Sequence, residues 1–172
     1  MAIFDKPLSA LNEHDLQELI AAEVVENIRL EFKREYPSKD EVLKKLSSLA
    51  NTFGGFVVIG AEASGKDGRI IALSGVERKS GYKQTIVQLS TAGVSPPLNV
   101  EVSDAIPVGT ESKVCYVLFV RESDTAPHFL NGRKGMYVRT DEFSNRFDSS
   151  LPSPSYANFS TAARLSGLAV NR

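Results

Sequence analysis

Leu46-Ser47-Ser48-Leu49-Ala50-Asn51-Thr52-Phe53-Gly54-Gly55-Phe56-Val57-Val58-Ile59-Gly60 carries the strongest architectural signal in the chain. It passes from apolar residues at helical spacing, through a polar Asn-Thr step and two glycines, into an uninterrupted apolar run. Ser38 and Glu41 form a capping box, and Val42, Leu43, Leu46, Leu49, Ala50 and Phe53 continue it as an apolar stripe. That pattern predicts an amphipathic helix ending at the glycine pair. Residues 56–61 have the continuous apolar character of a central strand covered on both faces.

Toward the N-terminus, residues 28–33 alternate apolar and charged side chains. This predicts a strand with Ile28, Leu30 and Phe32 on one face. Before it, Asn12 is placed to cap a helix carrying Leu16, Leu19 and Ile20. Toward the C-terminus, residues 62–68 read as a polar glycine-containing turn into a second hairpin arm at 69–73. Tyr82, Ile86, Val87 and Leu89 predict a third helix reaching Gly93. Further strands are expected at 98–102, 113–120 and 136–139, with a turn at 107–110. The mixed order predicts an α+β single domain, a mixed β-sheet packed with two to three helices. We expect that domain at residues 11–148, with an N-terminal extension at 1–10 and a Ser/Pro-rich tail at 149–172.

Composition narrows the function classes. With 172 residues, 42% hydrophobic and 24% charged, the chain can bury one ordinary core. The lone Cys115 lies inside an apolar run and has no intrachain partner, which points to a small buried hydrophobe in a reducing compartment. No stretch approaches the length of a membrane span, and residues 1–6 lack a secretory apolar core. A cytoplasmic location without membrane contact is expected. A net charge of -1 argues against coating nucleic acid by bulk electrostatics, so any phosphate contact must be local. Basic residues do gather at Arg29, Lys33 and Arg34, at Lys44 and Lys45, and at Arg133, Lys134 and Arg139.

Gly60-Ala61-Glu62-Ala63-Ser64-Gly65-Lys66-Asp67 matches the spacing of a phosphate-binding loop. Asp67 stands where a magnesium-binding hydroxyl is needed, and its charge would repel phosphate. Gly68-Arg69-Ile70-Ile71, next in the chain, reads as strand rather than helix, so a hairpin turn is expected instead.

Leu30-Glu31-Phe32-Lys33, the helix ending in Asn51-Thr52 with Gly54-Gly55, the strand ending Ile59-Gly60, and later Tyr137-Val138-Arg139 occur in one order. Together they resemble the signature of the Schlafen AlbA-type domain, over about residues 16–145. The resemblance implies an Alba-like α+β fold and nucleic-acid binding, DNA or RNA, and in bacteria a transcriptional-regulator-like role. The expected contacts are Lys33, Lys44, Lys45, Asn51, Thr52, Arg133, Lys134 and Arg139. From the residues alone, Asn51 and Thr52 serve equally to brace the glycine turn, and Lys33 or Arg139 to pair with Glu31.

Some Schlafen relatives are metal-dependent endoribonucleases using three carboxylates. Glu26 and Glu31 match the first two, whereas the third falls on Ala63. Glu62 substitutes only if the turn re-aims it, and Asp67 only if the loop folds back. An offset of five along an ideal strand would also point Glu26 and Glu31 to opposite faces, so Glu26 must leave the strand near Asn27 for the two to meet. The expectation is therefore a nucleic-acid-binding domain without complete catalytic machinery. The alternatives are a nuclease with magnesium or manganese held by Glu26 and Glu31, and a protein-interaction or oligomerisation module. A homodimer is expected because gripping duplex DNA commonly takes two sites.

Overall fold

The computed structural model describes residues 5–132, 135–140 and 143–147. Residues 133, 134 and 148–172, and with them the Arg133 and Lys134 contacts and the tail, lie outside the described residues.

A short 3-10 turn, Leu8–Ala10, leads into α1, Glu13–Ala21, where Asn12 and Asp15 form a reciprocal capping box. Leu8, in the segment read as an extension, is itself buried in a core cluster. Then come β1 (Leu30–Lys33), α2 (Lys39–Ala50) and β2 (Gly54–Ile59), a parallel crossover unit in which Leu30 faces Phe56 and Lys33 faces Ile59. The Ser38–Glu41 capping box is present at the start of α2. A hairpin of β3 (Ala61–Ala63) and β4 (Ile70–Leu73) comes after β2, so the loop-like motif at 60–67 is a turn between antiparallel strands. Next are β5 (Val76–Glu77), α3 (Tyr82–Ala92), β6 (Val94–Ser95), β7 (Val100–Val102) and β8 (Ile106–Val108). The chain continues through the long β9 (Thr110–Arg121) into β10 (Phe129–Leu130), β11 (Met136–Thr140) and β12 (Phe143–Phe147).

The main sheet runs β1-β2-β9-β5, with β7 and β8 also paired to β9. It mixes a parallel β1–β2 pair with an antiparallel β2–β9 pair, in an α+β domain as expected. Strands β12-β11-β10-β6 form a second sheet. One face of the main sheet packs Val57, Ile59 and Leu118 against Leu46 and Leu49 of α2 and Ile86 of α3. The opposite face packs Val58 and Val117 with Leu16 and Leu19 of α1 and Ile70 of the hairpin. Burial on both sides is why β2 is apolar at successive positions rather than alternate ones. Cys115 is buried in the second cluster, where desolvation pushes its thiol up to about 12.

Three local expectations are corrected. The strand does not begin at Ile28, because Asn27 closes a tight turn: its carbonyl accepts from Leu30 N at 3.2 Å and its Oδ1 from Arg29 N at 2.9 Å. Helix α2 ends at Ala50 rather than at the glycines, which instead open β2. Val87 is exposed, leaving Ile86 and Ser90 as the buried residues of α3.

The glycine pair is required by close backbone approach. Gly54 has φ 66° and Gly55 φ 150°, and a methyl at Gly55 would be driven into the Arg29 carbonyl. Gly55→Ala is therefore expected to lower stability by roughly 2–4 kcal/mol from strain and overpacking together. Gly65→Ala, at a position with nothing within 4 Å, should change it by less than about 0.5 kcal/mol. Urea unfolding of the two variants measures both values.

Candidate nucleic-acid interface

The site is built around Glu31. Period-two alternation sends Glu31 and Lys33 to the side of β1 opposite Leu30 and Phe32, toward α2. There the Glu31 carboxylate is buried and meets three cations: Oε1 lies 2.6 Å from Lys33 Nζ and 2.7 Å from Lys45 Nζ, and Oε2 accepts from Arg139 Nη1. The cations come from β1, α2 and β11. Burial pushes the Glu31 carboxyl up, but the hydrogen bonds from Lys33, Lys45 and Arg139 outweigh it and hold the group at about 2. Lys45 is shifted down, chiefly by desolvation and against the pull of Glu31.

Arg139 is fixed from several sides. Its Nη2 donates to the Asn27 carbonyl at 2.8 Å, and its backbone N–H donates to Thr52 Oγ1 at 3.0 Å. Its Nε is buried and has no partner among the described residues. Thr52 also donates to the Ser48 carbonyl at 2.8 Å. Asn51 donates from Nδ2 to the carbonyls of His128 and Tyr137 at 3.0 and 2.9 Å and accepts from His128 N at 2.7 Å. The Asn-Thr step thus ties the end of α2 to β11 on either side of Val138.

These bonds sort the expected contacts. Asn51, Thr52 and Arg139 are buried and act as braces in this conformation, with no surface to offer a phosphate. Lys33 keeps 32% of its side chain exposed and Lys45 19%. Lys44, half-buried on α2, sits with Nζ 5.2 Å from the centre of the Tyr137 ring. The structure therefore gathers Lys33, Lys45 and Arg139 at one carboxylate with Lys44 on the same helix as Lys45.

Glu26 does leave the strand. The Asn27 turn folds it back so that Oε1 accepts from Phe32 N at 2.6 Å on the edge strand β1. Desolvation raises its carboxyl, opposed by that hydrogen bond, and the Glu31 charge adds to the rise. Glu26 and Glu31 are thus electrostatic neighbours, but the donor set does not fit a divalent metal. Both Glu31 oxygens are engaged by cations that would repel it, and Glu62 accepts from Ser74 at 3.0 Å and faces Arg34 at 3.5 Å. Asp67 is bound to Arg69 at 2.8 Å on the surface. Among the described residues no group of three or more His, Cys, Asp or Glu is placed to hold a metal.

The family model described as Schlafen, AlbA_2 matches residues 26–148, from the Glu26 turn through β12. The chain belongs to this Schlafen AlbA_2 family. No curated protein matches it. Among solved structures it is similar to the N-terminal domain of an ATP-dependent DNA helicase RecG-related protein from Nitrosomonas europaea. That likeness has 18% identity and a TM-score of 0.59, and covers 83% of this chain and 95% of the other. It is also similar to the DIP2311 protein from Corynebacterium diphtheriae at 16% identity and a TM-score of 0.45, covering 79% of this chain and 27% of that one. The first likeness shows this fold as a domain of nearly this size. Among the described residues no helix is long and apolar enough to cross a membrane.

Sequence reading paired Glu31 with Lys33 or Arg139 but left the pair open between surface and interior, because alternation marks Glu31 only as a charged position. The signal available was the match of one acidic residue on β1 to basic residues at three separated places. Because its folded carboxyl lies at about 2, below the ordinary value of 4.5, Glu31 contributes stability that is present above about pH 4.5 and lost as pH falls toward 2. Glu26, raised, works in the opposite sense with the smaller shift. Glu31→Gln is expected to lower stability at pH 7 by roughly 3 kcal/mol and to flatten the acid limb of the stability profile. Denaturant melts from pH 2 to 7 read both effects.

Proposed function

We propose that this chain is a nucleic-acid-binding domain that grips phosphates through the Lys33, Lys44 and Lys45 edge and carries no complete catalytic machinery. The observation that carries this reading is the convergence of Lys33, Lys45 and Arg139 on one buried carboxylate. With Glu26 and Glu41 counted beside Glu31, it is Lys44, next to Lys45 on α2, that leaves the cations of this edge in excess. In a chain of net charge -1, such a local excess is what a phosphate contact requires. Membership of the Schlafen AlbA_2 family supports the reading, as does the fold shared with a domain of a DNA helicase RecG-related protein. A transcriptional-regulator-like role is the finer form of the same proposal. The carboxylates hold cations in place rather than a metal, so binding without cleavage is expected.

Titrating labelled DNA and RNA across a salt series tests this. Affinity should fall steeply with salt, and no cleavage products should form with magnesium or manganese present. Lys33→Ala and Lys44→Ala should each weaken binding severalfold across sequences and reduce the salt slope by about 1. Lys79→Ala, whose ammonium sits 3.8 Å from the Tyr36 ring centre instead, should leave it unchanged. Salt-insensitive binding, or cleavage lost in Glu31→Gln, would overturn the proposal.

A further inference from the structure

At the end of the main sheet, where β1, β2 and β9 come together at the glycine pair, lies a groove of about 560 Å³. Its size is within the roughly 300–1,000 Å³ of sites that bury small planar ligands. Phe53, Phe56 and Phe119 supply aromatic faces, and all three are half-buried rather than sealed in the core. Phe56 and Phe119 stack on each other with centroids 4.6 Å apart and an interplanar angle of 30°. Two guanidinium groups stand at the rim. Arg29 is exposed with its charge 5.4 Å from the centre of the Phe53 ring, and Arg121 is 81% exposed and only loosely opposed by Glu101 at 3.8 Å. Glu122 also lines the groove, as do the backbones of Gly54 and Gly55.

The groove and the cationic cluster share the Asn27 turn. Asn27 lines the groove with its side of the turn, while the Asn27 carbonyl accepts from Arg139 on the other. A polyanion held at Lys33 and Lys45, on the α2 side of the sheet, reaches these aromatic faces and two further cations by passing over the Asn27 turn at the edge strand β1. Few polyanions pair a flat apolar face with a phosphate in every repeat of one chain. Single-stranded nucleic acid does, because each nucleotide offers one π-face and one phosphate. A base inside a duplex is already stacked and cannot enter.

Resting on the proposed phosphate contact, we infer that this groove is a base-stacking subsite and that the domain prefers single-stranded nucleic acid. One unstacked base lies against Phe53 and the Phe56–Phe119 pair, and Arg29 and Arg121 take the flanking phosphates. The stacking is tolerant of sequence.

The test compares a labelled oligothymidylate, an abasic deoxyribose-phosphate oligomer of equal length, and a duplex, titrated by anisotropy at one salt concentration. The oligothymidylate should bind about tenfold more tightly than the abasic oligomer, and the duplex should bind no better than the abasic one. Phe53→Leu and Phe119→Leu keep apolar bulk but remove the π-face, and each should shrink the tenfold gap to about twofold. Phe53 lies in the turn before β2, so its variant stays informative if Phe119→Leu fails to fold in a thermal melt. Lys33→Ala should weaken the oligothymidylate and the abasic oligomer equally. A 2-aminopurine placed in the oligothymidylate should be quenched on binding, and less so with Phe53→Leu. Equal affinity for base-bearing and abasic oligomers, or for duplex and single strand, overturns the stacking inference while leaving the phosphate contact standing. Binding of none of the three overturns the proposed function, and this inference with it.

Discussion

The buried carboxylate of Glu31 dictates how the separate layers of this domain meet. An ionised carboxylate removed from water is strongly unfavourable unless charged donors replace the lost hydration. Here the replacements come from its own strand, from α2 and from β11. Satisfying one oxygen pair therefore fixes three elements that are far apart in sequence, and β11 belongs to a different sheet from β1. Such a network is weak evidence for net stability, since an apolar cluster of the same volume often serves as well energetically. What it does supply is register: only one placement of β11 brings Arg139 both to Glu31 and to the Asn27 carbonyl.

The Asn51-Thr52 step belongs to the same device. Asn51 holds the Tyr137 carbonyl and Thr52 the Arg139 N–H, so two consecutive side chains at the end of α2 grasp β11 two residues apart. Two residues later the glycine pair lets β2 start without a side chain between it and the Arg29 backbone. The helix end, the strand start and the arginine are thereby set by a handful of consecutive positions. This gives a physical reason for the resemblance that those positions carry in the sequence.

Much of the fold was legible because its signals are local. Both capping boxes, the α2 stripe and the doubly covered β2 each follow from spacing within a dozen residues, and Asp67 at the hydroxyl position correctly turned a phosphate-loop spacing into a hairpin. Strands β5, β6 and β10, at two residues each, are too short to show any period. The Asn27 turn was half legible. Convergence of Glu26 and Glu31 demanded a departure from the strand there, but nothing in the spacing showed that Asn27 would use its side chain and backbone together. At the site, the identities of Glu31, Lys33, Lys45 and Arg139 were visible and their depth was not. Alternation assigns the second face of a strand to water by default, and that default fails when another layer covers the strand.

A carboxylate at the centre of the proposed phosphate-binding edge looks self-defeating, since it must weaken the attraction for an anion. The alternative is worse. Two unit positive charges about 4 Å apart repel by roughly 4 kcal/mol at the effective dielectric of a protein surface, and three such cations repel in every pairing. Without Glu31, Lys33, Lys45 and Arg139 would splay apart, and Lys45, already shifted down by burial, would lose the carboxylate that pulls it back up. One shared anion lets the three stand close while their sum stays positive. The carboxylate gives up part of the field in order to hold the rest at high density, and it does so with the geometry fixed before any ligand arrives. A divalent metal in the same place would demand the reverse, carboxylates in excess and cations held away. Glu31 cannot serve both arrangements at once, and in this structure its oxygens are taken by the three cations.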